Sequence, residues 1–178
     1  MSERGTYIVV EPATVSGMVT VRADLADPVV VSALGDGGVP VPAPLALAEG
    51  EAGSVLWMSP DELLILTGDV AGCSARLAAV LHGHHAMVLD VSDARLVFDL
   101  TGDAVAEVLA KGAPCDLSPA AFPPGTVRRT HLGGLAVAIW RLTETHWQIT
   151  CFRSFAHHLH AWLTETAQPG SEVRSGLV

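Results

Sequence analysis

The sequence predicts an α+β fold made of two similar βαββα halves with helices on one face of each sheet. Three observations lead there. Hydrophobic residues make up 49% of the 178 residues and charged residues 16%, which is ample apolar material for a domain-sized core. Strand-length alternating runs recur between amphipathic helical stretches. The two halves also echo each other. Val55-Leu56-Trp57-Met58 returns as Ala138-Ile139-Trp140-Arg141, 83 residues on, and the stripe Leu77, Val80, Leu81 returns as Leu159, Trp162, Leu163, 82 residues on. The expected organisation is an N-terminal segment 1–14, one domain over 15–167 with lobes at about 15–92 and 93–167, and a tail 168–178.

The elements follow in order. Met18–Arg22 alternates as a strand, with Val19 and Val21 on one face. Asp27-Pro28 reads as a helix cap followed by proline at the first helical position, with Gly35 near the end. The β-branched run Val29–Val31 pulls the other way, toward a strand. Asp36–Gly53, rich in Gly, Pro and Ala, reads as a loop. Val55–Met58 and Leu63–Thr67 form a hairpin across Ser59-Pro60-Asp61-Glu62. A helix is expected over Ala71–His82, then strands at Ala86–Val91 and Arg95–Leu100. In the latter, Leu96, Phe98 and Leu100 alternate against Arg95 and Asp99.

Thr101 or Asp103 offers a cap for a helix ending near Lys111, with Gly112 at a left-handed exit. Ala113–Gly125 is a second Pro-rich loop. Leu135–Arg141 and His146–Phe152 form a second hairpin. A final helix is expected from the cap Ser154 to about Thr166, with Phe155, Leu159, Trp162 and Leu163 as its apolar stripe. Each half thus reads strand, helix, long loop, hairpin, helix. That order predicts paired ferredoxin-like lobes with mixed or antiparallel sheets.

Composition excludes several functions. The net charge is −9 and Lys111 is the only lysine, so no basic surface exists to replace phosphate counterions. An anionic membrane would repel the chain as well. No apolar run reaches the length that spans a bilayer, and Met1–Val10 shows no leader pattern, so a cytoplasmic protein is expected. Cys73, Cys115 and Cys151 are odd in number and far apart, which suits packed reduced thiols. There is no G-x-G-x-x-G after a strand, no G-x-x-x-x-G-K-[ST] and no G-x-S-x-G. His82-Gly83-His84-His85 has no cysteine or acid at ligand spacing and reads as a solvated connection. His157, His158 and His160 read as the polar face of the last helix. Trp57 and Trp140 read as core residues at matched hairpin positions.

An ordered series remains. Asp90-Val91-Ser92 leads into the strand Arg95–Leu100. Thr101-Gly102-Asp103-Ala104, Val108-Leu109-Ala110-Lys111-Gly112, Asp116-Leu117, Phe122, Pro124-Gly125 and Arg129-Thr130 follow. The series closes on Arg153-Ser154-Phe155-Ala156 and Trp162-Leu163. It resembles the gamma subunit of heterotetrameric sarcosine oxidase, over roughly residues 15–165. The hairpin Trp57…Pro60-Asp61-Glu62-Leu63 fits the same family. More distantly the chain is similar to the aminomethyltransferases of the glycine cleavage system, which implies a folate-binding fold. Those relatives carry acids in a G-G-x-x-D-D segment. Here the segment is Gly133-Gly134-Leu135-Ala136-Val137-Ala138, with apolar residues where a carboxylate would hold a pterin.

The resemblance implies a non-catalytic role, with no catalytic, cofactor-binding or metal residue in this chain. Its implied partners are the alpha, beta and delta subunits of a sarcosine-oxidising complex. FAD, FMN, NAD, tetrahydrofolate and zinc would reside in those other subunits. A gamma-type subunit of an N-methylglutamate dehydrogenase, or a small stand-alone folate-binding protein, are the alternatives. Arg153 and Arg95 are the candidate interface residues, as cations suited to pairing with a partner's carboxylates.

Overall fold

The computed structural model describes residues 7–15 and 17–171. It divides into two compact units. One comprises Thr14–Arg95 with Gly125–Arg128, here the N-terminal unit. The other joins the described residues up to Ala13 to Leu96–Pro124 and to the chain from Arg129 onward, here the C-terminal unit. The first strand, β1 (Val9–Pro12), therefore belongs to the C-terminal unit, although its segment was expected to precede the domain.

The N-terminal unit contains β2 (Met18–Arg22), α1 (Pro28–Asp36), β3 (Leu47–Gly50), β4 (Gly53–Ser59), β5 (Glu62–Leu66), α2 (Val70–Val80) and β6 (Met87–Asp90). Its antiparallel sheet has the order β3-β4-β5-β2-β6. The Asp27 carboxylate accepts from the Val29 amide with Pro28 at the helix start, so the cap prevails over the β-branched run. Asp69 caps α2 by accepting from the Gly72 amide at 2.9 Å. Val30 and Leu34 of α1 and Cys73 and Leu77 of α2 pack on Val19, Val21, Val55, Leu63 and Ile65.

The C-terminal unit follows the same plan with β7 (Arg95–Thr101), α3 (Val105–Ala110), β8 (Val127–Leu132), β9 (Leu135–Arg141), β10 (His146–Phe152) and α4 (Ala156–Thr166). Residues at the head of β7 and β8 fall on the N-terminal side of the division. The sheet order is β1-β7-β10-β9-β8. Matching the two orders pairs β3 with β8, β4 with β9, β5 with β10 and β2 with β7. It also pairs β6 with β1. The fifth strand comes from the segment after the last helix in one unit and from the start of the chain in the other.

Several expectations change. β3 lies inside the stretch read as the loop Asp36–Gly53, and β8 was not expected. Both are edge strands with few apolar side chains, and β3 exists by pairing with β4 through Leu47↔Leu56 and Ala48↔Val55. The halves are therefore βαβββα with a fifth strand added. Thr101 and Asp103 do not cap α3; Ala104 occupies the cap position, without a side-chain bond. Ser154 lies in a 3-10 turn, Arg153–Phe155, and Phe155 rather than Ser154 holds the cap position of α4. Phe155 is also exposed rather than part of the apolar stripe.

Gly112 is not a left-handed exit, since α3 ends at Lys111 in a right-handed conformation. Its glycine is required by crowding. A Cβ there would lie 2.6 Å from the Trp162 ring and 2.9 Å from the Gly133 amide nitrogen. Gly53 combines both demands. It has φ 126°, and a Cβ there would lie 2.0 Å from the Leu66 carbonyl oxygen.

The repeat is real in topology, but the tryptophans are not equivalent. Val55 and Trp57 of β4 face the helices, as do Val137 and Ile139 of β9. The offset is thus 82 residues, the same as for the helix stripes. Trp57 matches Ile139, and Trp140 lies on the opposite face of its sheet. A one-residue slip reverses every side chain in a strand.

Candidate interaction surface and buried polar groups

The face of the C-terminal sheet away from the helices holds a connected polar row. The Trp140 Nε1–H donates to Gln148 Oε1 at 2.9 Å, and Gln148 Nε2 donates to Asp99 Oδ1 at 2.8 Å. The same carboxylate oxygen lies 2.6 Å from His146 Nε2. Neighbouring strands β7, β10 and β9 bring these groups together from positions 47 and 49 residues apart in sequence. The carboxylate orients both the imidazole and the amide, so the row fixes side chains across three strands. Among the described residues, no serine, threonine or cysteine side chain bonds the His146 imidazole, so the pair activates no nucleophile; the Thr143 hydroxyl oxygen accepts instead from the His146 amide at 3.0 Å. Sequence reading placed Asp99 on the face opposite Phe98 but did not link it to His146 or Gln148.

A second polar group is wholly structural. Arg141 is 5% exposed at the end of β9. Its Nε donates to the Thr143 carbonyl at 3.1 Å, Nη1 to the Phe122 carbonyl at 2.9 Å and Nη2 to the Glu144 carbonyl at 3.0 Å. Nη2 also bonds the Glu144 carboxylate. The guanidinium lies 4.9 Å from the centre of the Trp147 ring, which itself stacks on Phe122 at 4.8 Å. One buried cation thereby ties the hairpin turn to the end of the Pro-rich loop.

The Asp90-Val91-Ser92 element is a turn lock. Asp90 Oδ1 accepts from the Ser92 amide at 2.9 Å and from its hydroxyl at 2.6 Å, while Ser92 Oγ accepts from the Met18 amide at 3.0 Å. The Ser92 hydroxyl, and then its amide, hold the Asp90 carboxyl below the ordinary aspartate range. A lowered native pKa gives stability that is present above the unfolded value, about 3.9, and lost as pH falls through the native one. The stability gap between the wild type and Ser92→Ala is therefore expected to be widest at neutral pH and to narrow in acid below about pH 4. The Met18 bond does not titrate, so the gap should not vanish. Urea unfolding of both proteins at pH 7 and pH 3 measures it, and a constant gap would refute the account.

The remaining sequence candidates are dispersed. Arg95 is half-buried at the head of β7 in the N-terminal unit, and Arg153 is exposed on the turn before α4 in the C-terminal unit. His82 and His85 are exposed in the α2–β6 connection. His157 and His158 are exposed on α4, whereas His160 packs with its ring 5.5 Å from that of Phe98. Among the described residues, no three His, Cys, Asp or Glu side chains gather as a metal site. Burial pushes the Cys73 thiol up, against a smaller lowering by Arg76. In the segment 133–138, Val137 packs in the helix-side core and Ala138 is buried on the other face. Neither can hold a pterin by hydrogen bonding. No helix among the described residues is long and apolar enough to cross a membrane.

A profile of the Sarcosine oxidase, gamma subunit family matches residues 22–169. The chain belongs to this family. Within the gamma subunit family, the sarcosine oxidase subunit gamma of Arthrobacter sp is 34% identical over 161 residues, spanning 88% of this chain and 79% of that one. Among solved structures, a chain of the heterotetrameric sarcosine oxidase from Corynebacterium sp. U-96, in complex with pyrrole 2-carboxylate, superposes with a TM-score of 0.84 at 29% identity. That match covers 94% of this chain and 87% of the other. The glycine cleavage system aminomethyltransferase T from Bartonella henselae matches at TM-score 0.64 and 16% identity, covering 89% of this chain and 45% of that one. This second likeness establishes the shared fold: two antiparallel five-stranded sheets with helices.

Proposed function

We propose that this gamma-family chain is a non-catalytic subunit of a cytoplasmic, heterotetrameric sarcosine oxidase-type complex, contributing structure and assembly. The observation that carries this reading is the family match over nearly the whole chain, together with the likeness to a chain of a solved heterotetramer. The apolar segment Leu135–Ala138 supports a role without folate chemistry in this chain. Alpha, beta and delta subunits would be its partners. FAD, FMN, NAD, tetrahydrofolate and zinc would be held by them, and sarcosine would be demethylated there with its one-carbon unit passed to tetrahydrofolate. Arg153, exposed on its turn, and Arg95 are proposed to meet carboxylates of those subunits.

Purification of the tagged chain from its native cells tests the reading. The expected result is co-purification of two large flavin-bearing subunits and one small subunit, identified by mass spectrometry, with sarcosine-dependent oxygen uptake. Recovery of the chain without such partners would sink it. Calorimetric titration of the isolated chain with tetrahydrofolate is expected to show no micromolar binding. Saturable binding would favour a folate-binding protein of the aminomethyltransferase-like fold instead.

A further inference from the structure

The four sheet edges differ in how they are protected. β1 carries Glu11 and Pro12, β8 carries Arg128, Arg129 and His131, and β3 carries Glu49. Charges and prolines at such places block pairing with other chains. β6 reads Met-Val-Leu-Asp, with no cation or proline and its single charge at the end. Among the described residues, β6 pairs with β2 and nothing pairs with its outer edge.

The register defines what that edge displays. Val91 donates its amide to the Met18 carbonyl at 2.9 Å, and Met18 and Val91 extend the pairing Val19↔Asp90, Thr20↔Leu89. Hydrogen-bonded and non-bonded pairs alternate in an antiparallel ladder. The backbone groups of Met87, Leu89 and Val91 therefore face β2, and those of Val88 and Asp90 point outward.

Side chains add a second feature. Leu56, Leu64, Thr20 and Leu89 form one cross-strand row through the pairs Leu56↔Leu64, Leu64↔Thr20 and Thr20↔Leu89. Their exposures are 0%, 0%, 6% and 51%. The buried row ends on an open leucine, with Met87 beside it on the same face at 43%. Met87 also borders a groove of about 870 Å³ lined by Arg22, Asp24, Pro60, Asp61 and His85. Arg22 there is already bonded to Asp61 at 3.2 Å and to Glu62 at 3.0 Å. Asp24 at the groove and Asp90 at the far end leave the strip acidic at both ends, in a chain of net charge −9.

We infer that the outer edge of β6 receives an extended segment of another subunit, which adds a sixth strand to the N-terminal sheet. The inference rests on the proposed subunit role. An extended backbone is what the outward amides and carbonyls of Val88 and Asp90 can bond. Alternate apolar side chains of that segment cover Leu89 and Met87. Lysines or arginines flank its apolar centre, opposite Asp24 and Asp90. A second copy of this chain fits less well, because it brings acids to acids.

The test uses the complex reassembled from its subunits. The double variant Met87→Lys/Leu89→Lys is expected to bind the remaining subunits at least tenfold more weakly than the wild type, with an unchanged melting curve. Val29→Lys, at an exposed position on α1, is expected to bind as the wild type does. In the wild-type complex, the amides of Val88 and Asp90 should gain protection from hydrogen exchange relative to the isolated chain. This readout decides alone if the double variant unfolds. Assembly of a folded double variant within twofold of the wild type, or unchanged exchange at both amides, overturns the inference and leaves the subunit role standing. Concentration-dependent protection of the same amides in the isolated chain would assign the edge to a second copy and also overturn it. Failure of the wild type to bind any subunit would refute the subunit role itself before a variant is measured.

Discussion

Arg141→Met is expected to lower the unfolding free energy by roughly 3 kcal/mol or more. Hydrogen bonds from a charged donor contribute about 1.5–3 kcal/mol each, and three backbone carbonyls lose theirs at once. Methionine keeps much of the apolar contact with Trp147, so the loss isolates the guanidinium. Arg141→Lys retains the charge, yet an ammonium lacks the planar fork that reaches Phe122 on one side and Thr143 and Glu144 on the other. It should recover less than half of the difference. Denaturant unfolding of the three proteins at constant pH checks this. A cost below about 1 kcal/mol for Arg141→Met, the usual value of one ordinary hydrogen bond, would show that the carbonyls find other donors.

Gly53→Ala is expected to be comparably damaging, at about 3 kcal/mol or more, combining the 1–3 kcal/mol of a strained backbone conformation with overpacking of similar size. The clash is with the Leu66 carbonyl, a backbone atom of the paired strand, which cannot rotate away. Relief requires β4 and β5 to part near the pair Ser54↔Leu66. Gly83 is the control. It also has positive φ, 87°, but no atom lies within 4 Å of a Cβ built there. Gly83→Ala should therefore cost the conformational strain alone. Thermal unfolding of both variants is the measurement, and equal losses would mean the Leu66 contact is relieved without penalty.

Most elements were legible in the sequence because local chemistry and packing agreed on them. Asp27-Pro28 overcame three consecutive valines because a side-chain cap and a fixed proline φ act together at the helix start. The hairpins β4–β5 and β9–β10 were readable because their inward residues alternate around turn chemistry. The strands β1, β3 and β8 were not: β1 depends on a partner some 86 residues along the chain, and β3 and β8 have few apolar side chains and take their conformation from the next strand, with which each pairs. Gly112 shows a related limit: its position after a helix suggested a left-handed turn, but the demand comes from Trp162, fifty residues on. The motif Val-Leu-Trp-Met against Ala-Ile-Trp-Arg aligned two tryptophans by identity, whereas the sheets align by which residues face the helices. The row Trp140–Gln148–Asp99–His146 was invisible for the same reason that β1 was. Its members meet only once β7 lies beside β10.

The matching of β1 with β6 bears on the order in which the protein is made. During synthesis the N-terminal unit can complete its sheet as soon as β6 leaves the ribosome, apart from the short stretch Gly125–Arg128. The C-terminal unit begins with a strand whose partner β7 arrives some 86 residues later. Until then β1 is an unpaired ribbon carrying Val9 and Val10. Its capture closes a long loop, a step whose entropic cost grows only slowly with loop length. The bond between the Tyr7 amide and the Ala167 carbonyl, at 3.1 Å, forms later still, after α4 is complete. Strand β1 thus precedes every other strand in the sequence and yet waits longer than most for its partner.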